Sequence, residues 1–170
     1  MFYPHPNEKL NFAFNDKPYQ GVAPEKAKYL FIGLDANYCK DIEQNNVFPW
    51  VIEYLKDGAA FWKKYGVHHP FLLPDYSGDG KFFHKSFARM GLEKGLANDV
   101  CFLELIDKPT YGKSSLEVGD LNLDHLSRIK KVLEGGTNHY AFIPTSVGNL
   151  LPGFMSRSHA LTRINASVCT

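Results

Sequence analysis

The sequence predicts an α/β fold, a three-layer α/β/α sandwich around a central, mostly parallel four-stranded sheet. Three observations lead there. Short apolar runs at Tyr29–Ile32, Val100–Ile106 and His139–Pro144 read as buried strands. The stretches between them carry apolar residues at helical spacing. Strand-like and helix-like segments then alternate, the pattern of β-α-β connections and parallel pairing.

The first run, Tyr29-Leu-Phe-Ile32, follows polar, Pro-containing sequence and ends at Gly33, as a buried parallel strand does. Phe48, Val51, Ile52 and Leu55 predict a helix over residues 46–57, with Gly58 placed to stop it. From Gly66 to Gly80, His68, His69, Pro70, Pro74 and Gly78 predict an extended loop, long enough to line a site. Phe83, Phe87 and Met90 predict a short amphipathic helix before Gly91. Val100–Ile106 is the second strand, broken by Asp107-Lys108-Pro109. Leu123, Leu126, Ile129, Val132 and Leu133 predict a helix running into Gly135-Gly136. The third strand, His139–Pro144, leads into a short helix over 146–151.

A chain of 170 residues, 44% of them hydrophobic, suffices for one domain with a substantial core, taken here as residues 1–170. The 19 Lys and Arg nearly balance the 18 Asp and Glu, so no global positive field marks a polyanionic partner. A nucleic-acid partner then needs cations gathered on one face. Cys39, Cys101 and Cys169 form no CxxC pair and are odd in number, which fits a reducing, cytoplasmic setting better than a disulfide framework. They are too few for an all-cysteine zinc or iron–sulfur site. The N-terminal MFYPHPNEKLNF lacks a basic stretch followed by an apolar run, and no segment reaches membrane-spanning length, so a soluble, unsecreted protein is expected.

No P-loop or dinucleotide fingerprint occurs, and Ser146 lacks the glycines of a nucleophile elbow. No cofactor is expected. His68-His69 with Asp75 brings a metal to mind, but adjacent histidines in an extended loop diverge and lack third and fourth ligands, so no metal is expected either.

In an open parallel sheet, ligands bind beyond the carboxyl ends of the strands. Three segments qualify: Gly33-Leu-Asp-Ala-Asn-Tyr38, Glu104–Thr110 and Thr145–Gly148. The first, FIGLDANY, resembles the first motif of the uracil-DNA-glycosylase superfamily, in which a buried strand delivers a Gly and then an Asp or Asn. ELIDKPT, residues 104–110, resembles the Asp-Arg-Pro-Thr turn of the mismatch-specific uracil/thymine branch. GDGKFFHKSFARMGL, residues 78–92, is similar to the Gly-Asn-Arg-Phe-Trp helix between those strands. Together with the helix from Leu123 to Gly136 and the AFIPTSVGN strand-to-helix unit, the resemblance covers roughly residues 28–151. The family's second active-site motif has no counterpart in 152–170, which carry Arg157 and His159.

The resemblance implies a DNA glycosylase that flips a damaged or mismatched base from the stack and hydrolyses its N-glycosidic bond, as in base-excision repair. It implies that Asp35 activates or orients the water and favours an oxocarbenium-like centre. The other reading of Asp35 is a helix N-cap. Asn37, Tyr38, Phe48 and Glu104 are the candidate base-binding residues. Phe48 aligns with an aromatic that stacks on the base, although a Phe in a helical stripe also suits a core. Glu104 reads either as a partner for a base edge or as an ion-pair partner of Lys108 or Lys113. Lys81, His84, Lys108, Lys113 and Arg157 are candidate phosphate contacts. The alternative is a glycosylase-fold module that binds nucleic acid or protein without catalysis; a third reading is hydrolysis of a free nucleoside. DNA is the expected partner, and no oligomeric state follows from the residues.

Overall fold

The structure, a computed structural model, describes residues 3–15, 17–78, 80–112, 120–135 and 140–149. Helix α1 (Glu8–Asn15) starts behind Asn7, whose side-chain oxygen accepts from the Leu10 amide at 2.9 Å in the manner of an N-cap. Leu10 and Phe14, one turn apart, are buried on its inner face. Strand β1 (Tyr19–Gly21) and strand β2 (Tyr29–Gly33) follow. Then come helices α2 (Phe48–Lys56), α3 (Gly58–Tyr65) and α4 (Lys81–Ala88), and strand β3 (Val100–Glu104). Helix α5 (Leu123–Gly135), strand β4 (Tyr140–Phe142) and the one-turn helix α6 (Thr145–Gly148) complete the described residues.

Most elements fall where the periodicity puts them, with three differences. Gly58 begins a helix rather than ending one: Asp57 turns extended, and its carboxylate accepts from the Ala60 amide at 2.9 Å to cap α3. The glycine that ends that helix is Gly66, at φ 74°, where a side chain is strained. The second strand stops at Glu104, although Leu105 and Ile106 still donate to the carbonyls of Gly33 and Leu34 at 3.1 Å each. Helix α1 and strand β1 are elements that the sequence reading left in polar, Pro-containing sequence.

The strand order is β1-β3-β2-β4. Strand β2 runs parallel to both β3 and β4, whereas β1 pairs antiparallel with β3 at the edge. The sheet is therefore mixed, which corrects the mostly parallel sheet expected from the alternation of elements. The cause is β1: a strand of three residues, following Pro18 and ending on the positive-φ Gly21, is too short to show a period-two pattern.

Register sorts the two faces. Leu30 and Ile32 of β2 share one face with Cys101 and Leu103 of β3, and Leu126, Ile129 and Val132 of α5 cover it. On the other face Phe31, Phe102 and Phe142 stand in a row across three strands, with ring centroids 5.5 and 4.6 Å apart. Trp62 of α3 and Phe87 of α4 pack over that row. Helices on both faces are compatible with a three-layer arrangement. A further apolar cluster joins α1, α2 and α3 to the loop after α3 through Leu10, Phe14, Val51, Leu55, Phe61 and Phe71. Among the described residues no helix is long and apolar enough to cross a membrane.

Candidate active site

The chain leaves β2 and reaches β3 on one side, then β4 on the other, so the strand order reverses at the carboxyl end of β2. Such a reversal opens a crevice, because the two connections depart in opposite directions. A cavity of about 200 Å³ lies there. The segment after β2 contributes Asp35, Asn37 and Tyr38 to its wall; β3 contributes Phe102 and Glu104; and β1 contributes Gln20. Tyr54 from α2, His69 and Phe71 from the loop after α3, and His84 from α4 close the remainder.

Asp35 is held in place by two neighbours. The hydroxyl of Thr110, a residue with no exposed surface, donates to the Asp35 carboxylate. The Asn37 amide donates to the same carboxylate oxygen at 3.2 Å, and lies 3.0 Å from Thr110 Oγ1 and 2.9 Å from the Gly112 carbonyl. Backbone bonds fix these groups. Thr110 N donates to Ala36 O at 3.0 Å, Tyr38 N to Thr110 O at 2.9 Å, and His5 N to Pro109 O at 2.9 Å. The Asp-Lys-Pro-Thr turn is thus clamped between the N-terminal segment and the residues after β2. Asp35 caps no helix: the next helical turn, Ile42–Gln44, starts behind Asp41.

Glu104 ends β3 on the same cavity. Although the residue as a whole is part-buried, its carboxyl is enclosed. Burial, followed by the negative charge of Asp35, pushes its pKa up to about 8. It is therefore mostly a neutral acid at pH 7, able to donate a hydrogen bond as well as to accept one. The carboxyl rests over Gly33, where a Cβ would come within 2.1 Å of Glu104 Oε2. Glycine leaves the room in which that carboxyl sits, a role beyond ending the strand. On the opposite side of the strand the His125 ring donates through Nε2 to the Glu104 carbonyl at 2.7 Å, tying α5 to the strand end. Among the described residues no cation pairs with Glu104, Lys108 included; Lys113 lies outside them.

Of the expected base-binding residues, Asn37, Tyr38 and Glu104 line the cavity, and Phe48 does not. Phe48 is 7% exposed within the cluster of α1, α2 and α3, a core residue placed by its helical stripe. Tyr38, Tyr54, Phe71 and Phe102 are among the aromatic residues that line the cavity instead. Burial holds the Tyr38 and Tyr54 hydroxyls well above the usual phenol range, so both stay neutral.

The expected phosphate contacts separate similarly. His84 turns inward and stacks on His69 with ring centroids 3.5 Å apart, which corrects its reading as a surface cation. Burial lowers the pKa of His84 to about 3 and of His68 to about 2, and pushes His69 down as well. The three rings are neutral at pH 7. The Lys81 ammonium donates to the Tyr76 carbonyl at 3.0 Å and so anchors the loop before α4. Lys108 is exposed on the turn leading to Thr110, beside a second cleft formed with Pro4, Asn11 and Phe12. Lys113 and Arg157 lie outside the described residues, as does Cys169; Cys39 and Cys101 are free thiols. Among the described residues no group of three His, Cys, Asp or Glu side chains is placed to hold a metal ion.

The sequence reading missed Gln20 and Thr110 in this site and gave its wall histidines, His69 and His84, other roles. Thr110 stood inside the Asp-Lys-Pro-Thr turn and was legible as part of that motif. Gln20 carried no signal, because its strand is three residues long. Comparison with protein-family models, curated proteins and solved structures finds no match to this chain.

Proposed function

We propose that the chain is a DNA glycosylase of the uracil-DNA-glycosylase type, which takes a flipped base into this cavity and hydrolyses its N-glycosidic bond. The observation that carries the reading is the convergence of Asp35 and Glu104 on one base-sized cavity, where burial and the neighbouring Asp35 charge hold Glu104 toward its protonated form. A carboxyl held in this way supplies an acid beside a second carboxyl that serves as base.

Size supports the substrate class. A cavity of about 200 Å³ exceeds the roughly 150 Å³ that holds a benzene ring in a protein interior and falls below the roughly 300–1,000 Å³ of drug-sized sites. One heterocycle fits, and its sugar stays at the mouth beside Asp35. The aromatic walls offer stacking partners for the ring.

The steps follow. Water attacks C1′ and gives a proton to Asp35, a C–O bond forms as the C1′–N bond breaks, and Glu104 passes its proton to the departing base. Solvent then carries the proton from Asp35 back to Glu104. In this scheme Glu104 supplies the leaving-group stabilisation that the resemblance assigns to the second motif. Exposed Lys108 is the phosphate contact that remains among the described candidates, and a reducing, cytoplasmic setting suits the two free thiols.

The test is an oligonucleotide panel carrying uracil, hypoxanthine, xanthine and mismatched bases, scored for abasic product. The expected result is product from at least one substrate and a loss of roughly 10²–10⁴-fold in Asp35→Asn with DNA affinity kept. Binding without product in either protein supports the non-catalytic module instead. Cleavage of soluble nucleosides without DNA supports the small-ligand reading.

A further inference from the structure

Gln20 is 5% exposed, and its amide nitrogen and oxygen are both buried without a hydrogen-bond partner. A buried amide left unsatisfied is costly, and proteins keep few of them. This one sits in the wall of the cavity that also holds Asp35 and Glu104. Its place is set by register: Gln20 lies directly opposite Phe102 across the β1–β3 pair. Residues opposite each other share a face, so the Gln20 amide, the Phe102 ring and, two residues on, the Glu104 carboxyl occupy the same face of the sheet.

We propose that Gln20 reads the edge of a planar heterocycle in this cavity, its carboxamide pairing with a ring that carries a hydrogen-bond donor beside an acceptor. The inference rests on the reading of the cavity as a base site. The carboxamide presents one N–H and one carbonyl side by side, and only a ring with the complementary pair satisfies both. Oxo-bases have such an edge in their N–H next to C=O. A bare ring with acceptors alone leaves the Gln20 carbonyl unsatisfied. A ring with no polar edge leaves the whole amide as it is in the empty protein. Phe102, the neighbour of both polar groups on that face, gives the ring an apolar surface to lie against.

The test is direct binding of free bases, with no bond cleaved: uracil and hypoxanthine against unsubstituted pyrimidine, titrated by calorimetry into the wild type and Gln20→Leu. The wild type is expected to prefer the oxo-bases. Gln20→Leu is expected to lose about 10- to 100-fold in oxo-base affinity, the size of a bidentate amide–base pair, with pyrimidine affinity unchanged. Its melting temperature is expected to hold or rise, because the variant buries no unsatisfied amide. A purely structural role predicts the opposite on both counts. If Gln20→Leu does not fold, Gln20→Met keeps the side-chain length and answers the same question.

Oxo-base affinity within twofold of wild type in the variant overturns the proposal, and so does a wild type that binds none of the three rings or prefers pyrimidine. A wild type that binds oxo-bases through Gln20 yet cleaves no substrate removes the hydrolytic reading and leaves this one standing. Cleavage with base discrimination unchanged in Gln20→Leu removes this one alone.

Discussion

The Thr110 hydroxyl donates to the Asp35 carboxylate across 75 residues of chain, joining the turn after β3 to the turn after β2. Both turns follow parallel neighbours in the sheet, so pairing of β2 with β3 brings them together before any side chain interacts. The bond then sets where the carboxylate points, with Asn37 bracing the same oxygen.

Thr110→Val tests this relationship. The shape is conserved and the donor is lost, so the fold is expected to survive while Asp35 loses its anchor. A hydrogen bond to a charged group contributes about 1.5–3 kcal/mol, so kcat on a cleavable substrate is expected to fall roughly 10- to 150-fold with KM little changed. An unchanged kcat measured by single-turnover kinetics would show that Asp35 needs no such support.

Gly33→Ala tests the seat of Glu104. The added methyl meets Oε2, Cδ and Oε1 of Glu104, the mobile end of a side chain, so the carboxyl is expected to move while the strand stays. The expected outcome is a melting temperature close to wild type together with loss of turnover and of base binding. Wild-type activity in this variant argues that the position of Glu104 is immaterial.

The pH dependence of stability follows from groups of opposite sign. The ordinary histidine pKa is 6.5, but His68 and His84 fold with values of about 2 and about 3, so below pH 6.5 only the unfolded chain takes up those protons and stability falls with falling pH. Glu104 folds with a pKa of about 8 against 4.5 unfolded, so the native state alone holds its proton in that window and stability falls as pH rises from 4.5 to 8. Each group contributes a slope of roughly 1.4 kcal/mol per pH unit, and two histidines outweigh one glutamate below pH 6.5. His69 shifts in the same direction as the other histidines. Maximal stability is therefore expected near pH 6.5, with Glu104→Gln flattening the alkaline side. Urea midpoints measured from pH 5 to 8.5 decide it, and a wild-type midpoint that climbs steadily through this range contradicts the assignment.

Turnover has its own pH limit. If Glu104 donates the proton to the leaving base, the rate is expected to decline as pH rises through about 8. The profile of kcat for Glu104→Gln is expected to lack that limb. The same limb in both proteins would place the ionisation elsewhere.

Phe48 belongs to the core alone, whereas Phe71 is part of the core and of the cavity wall at once. Phe48→Ala is expected to cost about 3–5 kcal/mol of stability, the usual range for a buried phenylalanine. Phe71→Leu, at the cavity wall, is expected to weaken binding of a free base more than it weakens the fold. Chemical denaturation and calorimetric titration of both variants check the division.

The local pattern of residues determined the elements that carry a long apolar repeat. Leu126, Ile129 and Val132 mark the buried face of α5, and Tyr29–Ile32 marks a strand, because burial on one face imposes a spacing visible along the chain. The same logic pointed to Asp35 just beyond its strand and to Glu104 at the end of its own, where chemistry collects in a parallel arrangement. Tertiary structure decided the rest. Helical spacing marked Phe48 as covered, and only the fold showed that other helices rather than a ligand cover it, while Phe71, in a stretch read as loop, is buried in the same cluster and also lines the cavity. The antiparallel edge strand, the inward turn of His84 onto His69 and the unpartnered amide of Gln20 depend on pairings between residues far apart in the chain, which no local spacing encodes. The acidity of Glu104 is of that kind too: the side chain is an ordinary carboxylic acid until the fold encloses it beside a second negative charge.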